Sequence, residues 1–274
     1  MTALPDPHTG PHPATGPALP DEEIDQSKAP LLDHLIELRQ RLLWSLLALA
    51  IAFGVCFYFA DQIFAFLVQP LLRAGQGTLI YTQLFEAFFV QVKVALFSAC
   101  MIAFPVIAMQ IWKFVAPGLY RNEKRALLPF LFATPVLFLA GAALAYYFVI
   151  PTALHFLLGF QGNLGGVERE ALPAIGNYLT FIMQFVMAFG IAFQLPILIM
   201  LLERAGIVTF DQLKGARRYM IVAAFAIAAV ATPPDPISQL MLAIPLCLLY
   251  EVALIAIRIT GRRKQAVAGS DISA

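Results

Sequence analysis

Charge is scarce in this 274-residue chain: Asp, Glu, Lys and Arg make up only 13% of it against 60% hydrophobic residues. A soluble domain carries roughly a quarter charged residues, so a water-soluble globule is excluded and the chain belongs in a bilayer. Its formal net charge of +1, with no basic run interleaved with aromatics, gives no reason to expect a nucleic-acid partner. Cysteine is equally sparse. Cys56, Cys100 and Cys247 stand singly inside apolar runs, which excludes a disulfide framework or a zinc site and leaves them as small packing residues. G-x-x-x-x-G-K-[ST], H-E-x-x-H and a nucleophile-elbow serine are also missing, so no nucleotide powers the chain directly. An enzyme is not expected, nor is a cofactor or a metal; His34 and His155 have no second ligand at useful spacing.

What is present is a series of apolar runs. Residues 1–30 are rich in proline and acid and read as a disordered cytoplasmic tail without a cleaved signal peptide. A membrane domain over 31–258 follows, with helices expected at about 42–60, 85–112, 126–150, 178–202, 219–231 and 237–257, then a basic tail over 259–274. A loop carrying Asp61, Pro70, Arg73, Gly75 and Gly77 is expected after the first run, and a longer one over Pro151–Asn177. The helical pattern of the second run reaches back to Phe85, which puts Glu86 and Lys93 on one face. The fifth run is short: Met220 to Ala231 gives ~18 Å of helix against a hydrocarbon core of ~30 Å. Thr232-Pro233-Pro234-Asp235-Pro236 then turns it into the sixth as a hairpin, whose mismatch local thinning or a docked partner relieves.

Of the 18 Lys and Arg residues, Arg73 and Arg169 fall in the odd-numbered loops and Lys93 within a run; all others fall on the side of the termini. By the positive-inside rule both termini are cytoplasmic. Pro105, Pro129, Pro135, Pro196 and Pro245 interrupt four of the runs, and the carbonyls they free need other partners, which fits a bent bundle with a concave face. The fold class expected is therefore an all-α integral membrane protein of six transmembrane helices in a bent, concave bundle.

The stretch Asp33-His34-Leu35-Ile36-Glu37-Leu38-Arg39-Gln40-Arg41 leads into the first run as an amphipathic helix. Leu31, Leu35, Leu38 and Leu42 line one face, and Asp33, Glu37 and Arg41 another. A carboxylate held at a membrane surface is an acceptor for a guanidinium fork. Glu37 has a plainer role open to it, an ion pair with Arg41 worth ~0.3–0.5 kcal/mol. Glu123, in the basic loop Ala116–Arg125, has one too, beside a helix N-terminus capped by Asn122, worth ~0.3–1 kcal/mol. Together the two carboxylates form a candidate acceptor for paired arginines. Gln194 needs a polar partner inside its helix pair, Glu251 pairs with Arg258 or snorkels, and Gln239 with Thr232 is placed to hydrogen-bond a partner's membrane helix.

These residues resemble the TatC subunit of the twin-arginine protein translocase. The resemblance covers about Leu31 to Arg258 and rests on His34–Arg41, Phe114–Arg125, Phe189-Gly190-Ile191-Ala192-Phe193-Gln194-Leu195-Pro196, Thr232-Pro233-Pro234-Asp235 and Leu242-Ala243-Ile244-Pro245. It implies a glove-like six-helix bundle, multi-pass in the bacterial cytoplasmic (inner) membrane. The function it implies is a receptor for twin-arginine signal peptides of folded proteins, in an oligomeric complex driven by the proton motive force. Glu37 and Glu123 then hold the arginine pair, with Arg39 and Phe114 shaping the site. Gln194 matches the buried polar position of the fourth helix, and Thr232 with Gln239 the hairpin region where the single-span partners TatA and TatB dock. Three departures stand out: Gln194 where many members have glutamate, Asn122 where some have a base, and the proline-rich tail. A secondary transporter of a small solute is the alternative; it calls for two similar halves and ionisable residues near the midplane. No repeat relates residues 31–150 to 151–258, and only Glu86, Lys93 and Glu251 are ionisable in or near the runs.

Overall fold

The computed structural model of the chain describes residues 20–119, 124–232 and 235–271, with side chains described over 34–259 except at 115–129, 164, 167–168 and 233–234. Glu123, Asn122 and residues 1–19 of the expected tail thus lie outside the described residues. Helix α1 (Pro20–Tyr58) is followed by α2 (Ala60–Arg73), α3 (Glu86–Leu119) and α4 (Lys124–Leu144). A π-helical turn (Ala145–Val149) joins α4 to α5 (Ile150–Leu158), and a hairpin of β1 (Gly162–Leu164) and β2 (Val167–Arg169) leads to α6 (Ile175–Ala192). Helices α7 (Leu195–Arg204), α8 (Phe210–Gly215), α9 (Arg217–Ala231) and α10 (Pro236–Asp271) complete the chain.

Among the described residues five segments are long and apolar enough to cross a membrane: His34–Tyr58, Glu86–Phe114, Phe130–Leu158, Ile175–Arg204 and Pro236–Ile259. Helix α9, at 15 residues, spans about 22 Å and falls short, as its sequence indicates. The other bounds differ instructively. Helix α1 begins inside the stretch expected as a tail, and α10 runs on to Asp271. The third run does not stop at Pro151: the wide π-helical turn just before it loosens the hydrogen-bond ladder where the ring lacks an N–H, and the helix continues to Leu158.

The loop expected after Ala60 is instead helix α2, whose Ala60, Leu67, Val68 and Leu71 form one buried face. Pro70 inside this helix deprives the Phe66 carbonyl of its normal donor. That carbonyl accepts the Tyr146 hydroxyl from the π-helical turn at 2.6 Å, and the neighbouring Leu67 carbonyl accepts the Tyr178 hydroxyl at 3.0 Å. Two tyrosines on separate helices thus complete the backbone around one proline. Tyr146→Phe is expected to strand the Phe66 carbonyl and cost about 1–3 kcal/mol. A lowered Tm of the purified protein in detergent checks this; an unchanged Tm means the hydroxyl is dispensable.

Helix α1 packs antiparallel on α3 through small side chains: Ala52 and Cys56 against Ala95, Ala99 and Ala103. Small residues at four-residue spacing let membrane helices approach closely. Helices α4 and α6 meet still more tightly. The Phe138 ring covers Gly190, while Gly141 faces the Phe189 carbonyl and the Phe193 ring. Phe138, Ile182, Phe185 and Phe189 are fully buried there. Helix α9 joins the same core through Ala224 and Ala228, against Leu242, Ala243 and Leu246 of α10.

At the hairpin end the two loops are stitched together. The Ile80 N–H donates to the Pro173 carbonyl at 3.2 Å, and the Ile175 N–H to the Ile80 carbonyl at 3.0 Å. Gly165 and Gly166 take φ of +63° and +88°, the positive values that a tight two-residue hairpin turn demands. Glu86 ties two helix starts together here: one carboxylate oxygen accepts the Thr82 and Gln83 N–H groups and the Thr82 hydroxyl, and the other accepts the Gly176 N–H at 2.8 Å.

Candidate functional site

The opposite end holds three of the sequence-derived candidates, Glu37, Arg39 and Phe114. Helix α1 lies along α3 through Ala52 and Cys56, not through its leucines, since Leu35, Leu38 and Leu42 are exposed; Glu37 and Arg41, one turn apart, share the packed side and point toward the end of α3. The Arg41 guanidinium donates to Glu37 through Nε at 3.1 Å and Nη2 at 2.5 Å, and its Nη1 reaches Gln110 of α3 at 3.3 Å. The plainer role for Glu37 is therefore present in the structure, and Arg41 doubles as a cross-helix tie. His34 Nδ1 lies 3.9 Å from the other Glu37 oxygen. The His34 ring stacks on Phe114 with centroids 4.3 Å apart and planes 14° from parallel, pinning the start of α1 to the end of α3.

Glu37, Gln40, Arg41, Trp44, Gln110 and Lys113 line a cleft of about 410 Å³. The Glu37 side chain is 32% exposed, so its carboxylate remains reachable from the cleft. Arg39 points outward and makes no hydrogen bond or ion pair among the described residues. Charge within the described wall is one acid against two bases, Arg41 and Lys113. His34, Gln110 and Lys113 had no sequence signal as site residues, because their roles depend on the antiparallel pairing of α1 with α3.

A polar chain continues from this end into the bundle. Trp112 Nε1 donates to the Thr134 hydroxyl at 2.9 Å, and that hydroxyl donates to the Phe130 carbonyl at 2.8 Å. Gln194 caps the break between α6 and α7, and its Nε2 donates to the Thr134 carbonyl at 2.9 Å. This is the polar helix-helix contact expected of it; its Oε1 is buried without a partner. At the short hairpin, the Thr232 hydroxyl donates to the Ala228 carbonyl at 2.8 Å and Gln239 Nε2 to the Phe225 carbonyl at 3.3 Å. Their donors are thus engaged within the hairpin itself. Glu251 pairs not with Arg258, seven residues on, but with Arg217 of α9 at 2.8 Å, since α9 folds back along α10 and brings its first residue alongside. The Tyr250 hydroxyl adds a bond to the Leu213 carbonyl at 2.6 Å. Among the described residues no group of His, Cys, Asp and Glu is arranged to hold a metal ion.

Comparison with known proteins fits this arrangement. Residues 33–245 match the family model of the Sec-independent protein translocase protein TatC. The chain is 49% identical to the Sec-independent protein translocase protein TatC of Magnetococcus marinus over 231 residues, 84% of each chain. It is 42% identical to that of Aquifex aeolicus over 241 residues, covering 87% of this chain and 98% of the relative. A crystal structure of the twin-arginine translocase receptor TatC superposes with a TM-score of 0.72 at 42% identity, over 82% of this chain and 98% of that one. The short helix α9, the Glu37–Arg41 pair at the entry to α1 and the polar break at Gln194 thus sit in a multi-pass helical membrane protein that belongs to the TatC family, a component of the Sec-independent protein translocase.

Proposed function

We propose that this chain is the receptor and core subunit of a twin-arginine translocase: it binds twin-arginine signal peptides of folded cargo at its cytoplasmic face and gathers TatA- and TatB-like single-span subunits. Six helices, the short α9 included, span the bacterial inner membrane as a concave, glove-like bundle with both termini in the cytoplasm. The gathering of Arg41, Lys113 and Arg217 at the Glu37 end supports that orientation. The observation that carries the reading is the Glu37 carboxylate, reachable from a cleft and held chiefly by its own Arg41.

Energetics favour exchange at that carboxylate. A partly exposed pair four residues apart on a helix is worth only ~0.3–0.5 kcal/mol, so Arg41 is a weak competitor for the carboxylate. An incoming arginine displaces or shares Arg41 at small cost. Glu123 takes the second arginine and offsets Lys113, which brings the wall to two acids against two bases; Arg39 and Phe114 shape its rim. The peptide's apolar segment follows the concave face past Gln194, and partners dock on the α9–α10 hairpin near Thr232 and Gln239. A family relative crystallised as a twin-arginine translocase receptor supports the assignment. The transporter alternative finds no support, since Glu86 and Lys93 lie toward one end of their span and Glu251 is ion-paired.

Binding of a fluorescent signal peptide to the purified full chain in detergent, followed by anisotropy, tests the proposal. Replacing the arginine pair by lysines removes two bidentate forks but keeps both charges, and is expected to weaken binding about tenfold or more. Equal affinity for the two peptides would exclude arginine-specific recognition.

A further inference from the structure

At the hairpin end, Lys93 is a cation that forms no ion pair among the described residues. It lies seven residues into α3 from Glu86, about 10 Å along the axis and inside the candidate span, and its side chain is exposed. It makes no hydrogen bond or ion pair among the described residues. Glu86 shares its face and its carboxylate is held in place by the four donors described above, without forming an ion pair with Lys93. Gly176 is part of that arrangement: a Cβ there would sit 2.7 Å from Glu86 Oε1, so the carboxylate rests on α6 backbone rather than leaning toward Lys93.

Lys93 and Glu86 line one cleft of about 280 Å³ between α3 and α6, with Phe89, Asn177 and Thr180 in its walls. Helical side chains lean toward the N-terminus, so the Lys93 ammonium reaches back toward the helix start and out of the hydrocarbon. That brings it to the interfacial layer, where an ammonium meets phosphate. Exposed Tyr81, Phe85, Phe88 and Phe89 mark the same level, as aromatic belts do. The Thr180 hydroxyl is spent on the Gly176 carbonyl at 2.7 Å, which leaves the side-chain amides of Asn177, on α6, and Gln83 as donors lining the cleft.

We propose that Lys93 and Asn177 hold the phosphate of a phospholipid headgroup in this cleft, with the Phe89 ring against its glycerol and upper acyl chain. The lipid belongs to the leaflet at the hairpin end, the outer one on the topology proposed above, and it fills the α3–α6 seam beside the Glu86 tie. A free phosphate ion offers the same chemistry, but the cleft opens beside exposed aromatic rings at headgroup depth, which favours the lipid.

The test uses the full chain in detergent, titrated with phosphatidylglycerol and followed by native mass spectrometry, with no signal peptide present. Sidedness plays no part in that measurement, so its outcome is independent of the receptor reading. The wild type is expected to retain a lipid whose apparent Kd rises about fivefold in Lys93→Gln, while Lys93→Arg, which keeps the charge, stays close to wild type. Millimolar inorganic phosphate is expected to leave the lipid in place. Equal retention by wild type and Lys93→Gln at matched Tm overturns the site, and displacement by inorganic phosphate overturns the lipid as its occupant.

Discussion

Glu37→Arg is expected to abolish measurable binding of a twin-arginine signal peptide while leaving the protein folded in the membrane. The substitution removes an acceptor and places a third cation beside Arg41 and Lys113 in one cleft. Loss of a charge-assisted contact together with new repulsion amounts to about 3 kcal/mol or more, roughly a hundredfold in affinity. Glu37→Ala removes the acceptor alone and is expected to fall between this variant and the wild type. Stability is spared because the Glu37–Arg41 pair contributes only ~0.3–0.5 kcal/mol, and because α1 is held to α3 by Ala52, Cys56, Ala95, Ala99 and Ala103. Peptide binding by anisotropy, paired with a Tm measurement, separates the two effects. A Glu37→Arg protein that binds as well as wild type would remove Glu37 from the site.

Gly141→Ala is expected to cause a large loss of stability for a single added methyl. Its Cβ would stand 2.5 Å from the Phe189 carbonyl oxygen and 2.7 Å from the Phe193 ring. The carbonyl belongs to the α6 backbone and cannot step aside, so α4 and α6 must separate along a seam that also holds Phe138 against Gly190. Overpacking of this kind costs typically 1–3 kcal/mol, and a backbone clash lies at the upper end. Gly54→Ala on α1 meets nothing within 4 Å and serves as the control, neutral or slightly stabilising. A Tm drop confined to Gly141→Ala supports the packing described; similar Tm values for both contradict it. The same seam sets the distance from α4 to Gln194, whose amide bonds the Thr134 carbonyl.

The parts of this structure that were readable in the sequence are those set by local pattern. Apolar runs gave the long helices, the brevity of Met220–Ala231 gave a helix shorter than the hydrocarbon core, and four-residue spacing gave the Glu37–Arg41 pair. What was hidden depends on partners far along the chain. Helix α2 reads as a loop because Pro70 argues against a helix, and only Tyr146, 76 residues later, supplies the missing donor for the Phe66 carbonyl. Glu251 finds Arg217 rather than Arg258 because of the α9–α10 turn, and His34 finds Phe114 because α1 and α3 run antiparallel. Glu86 shows the same limit. Its spacing with Lys93 was visible, but the donors that take up its carboxylate come from the loop before α3 and, ninety residues later, from the start of α6.

The paired-carboxylate site is tested most directly by a double-mutant cycle between Glu37→Gln and single Arg→Lys replacements in the signal peptide, with Glu123→Gln as the second cycle. If each carboxylate holds one guanidinium, each glutamate variant weakens binding of the intact peptide. It then has little further effect once its own arginine is gone, a coupling of about 1 kcal/mol or more with one arginine and near zero with the other. Strictly additive losses, with no coupling at either carboxylate, would contradict the site.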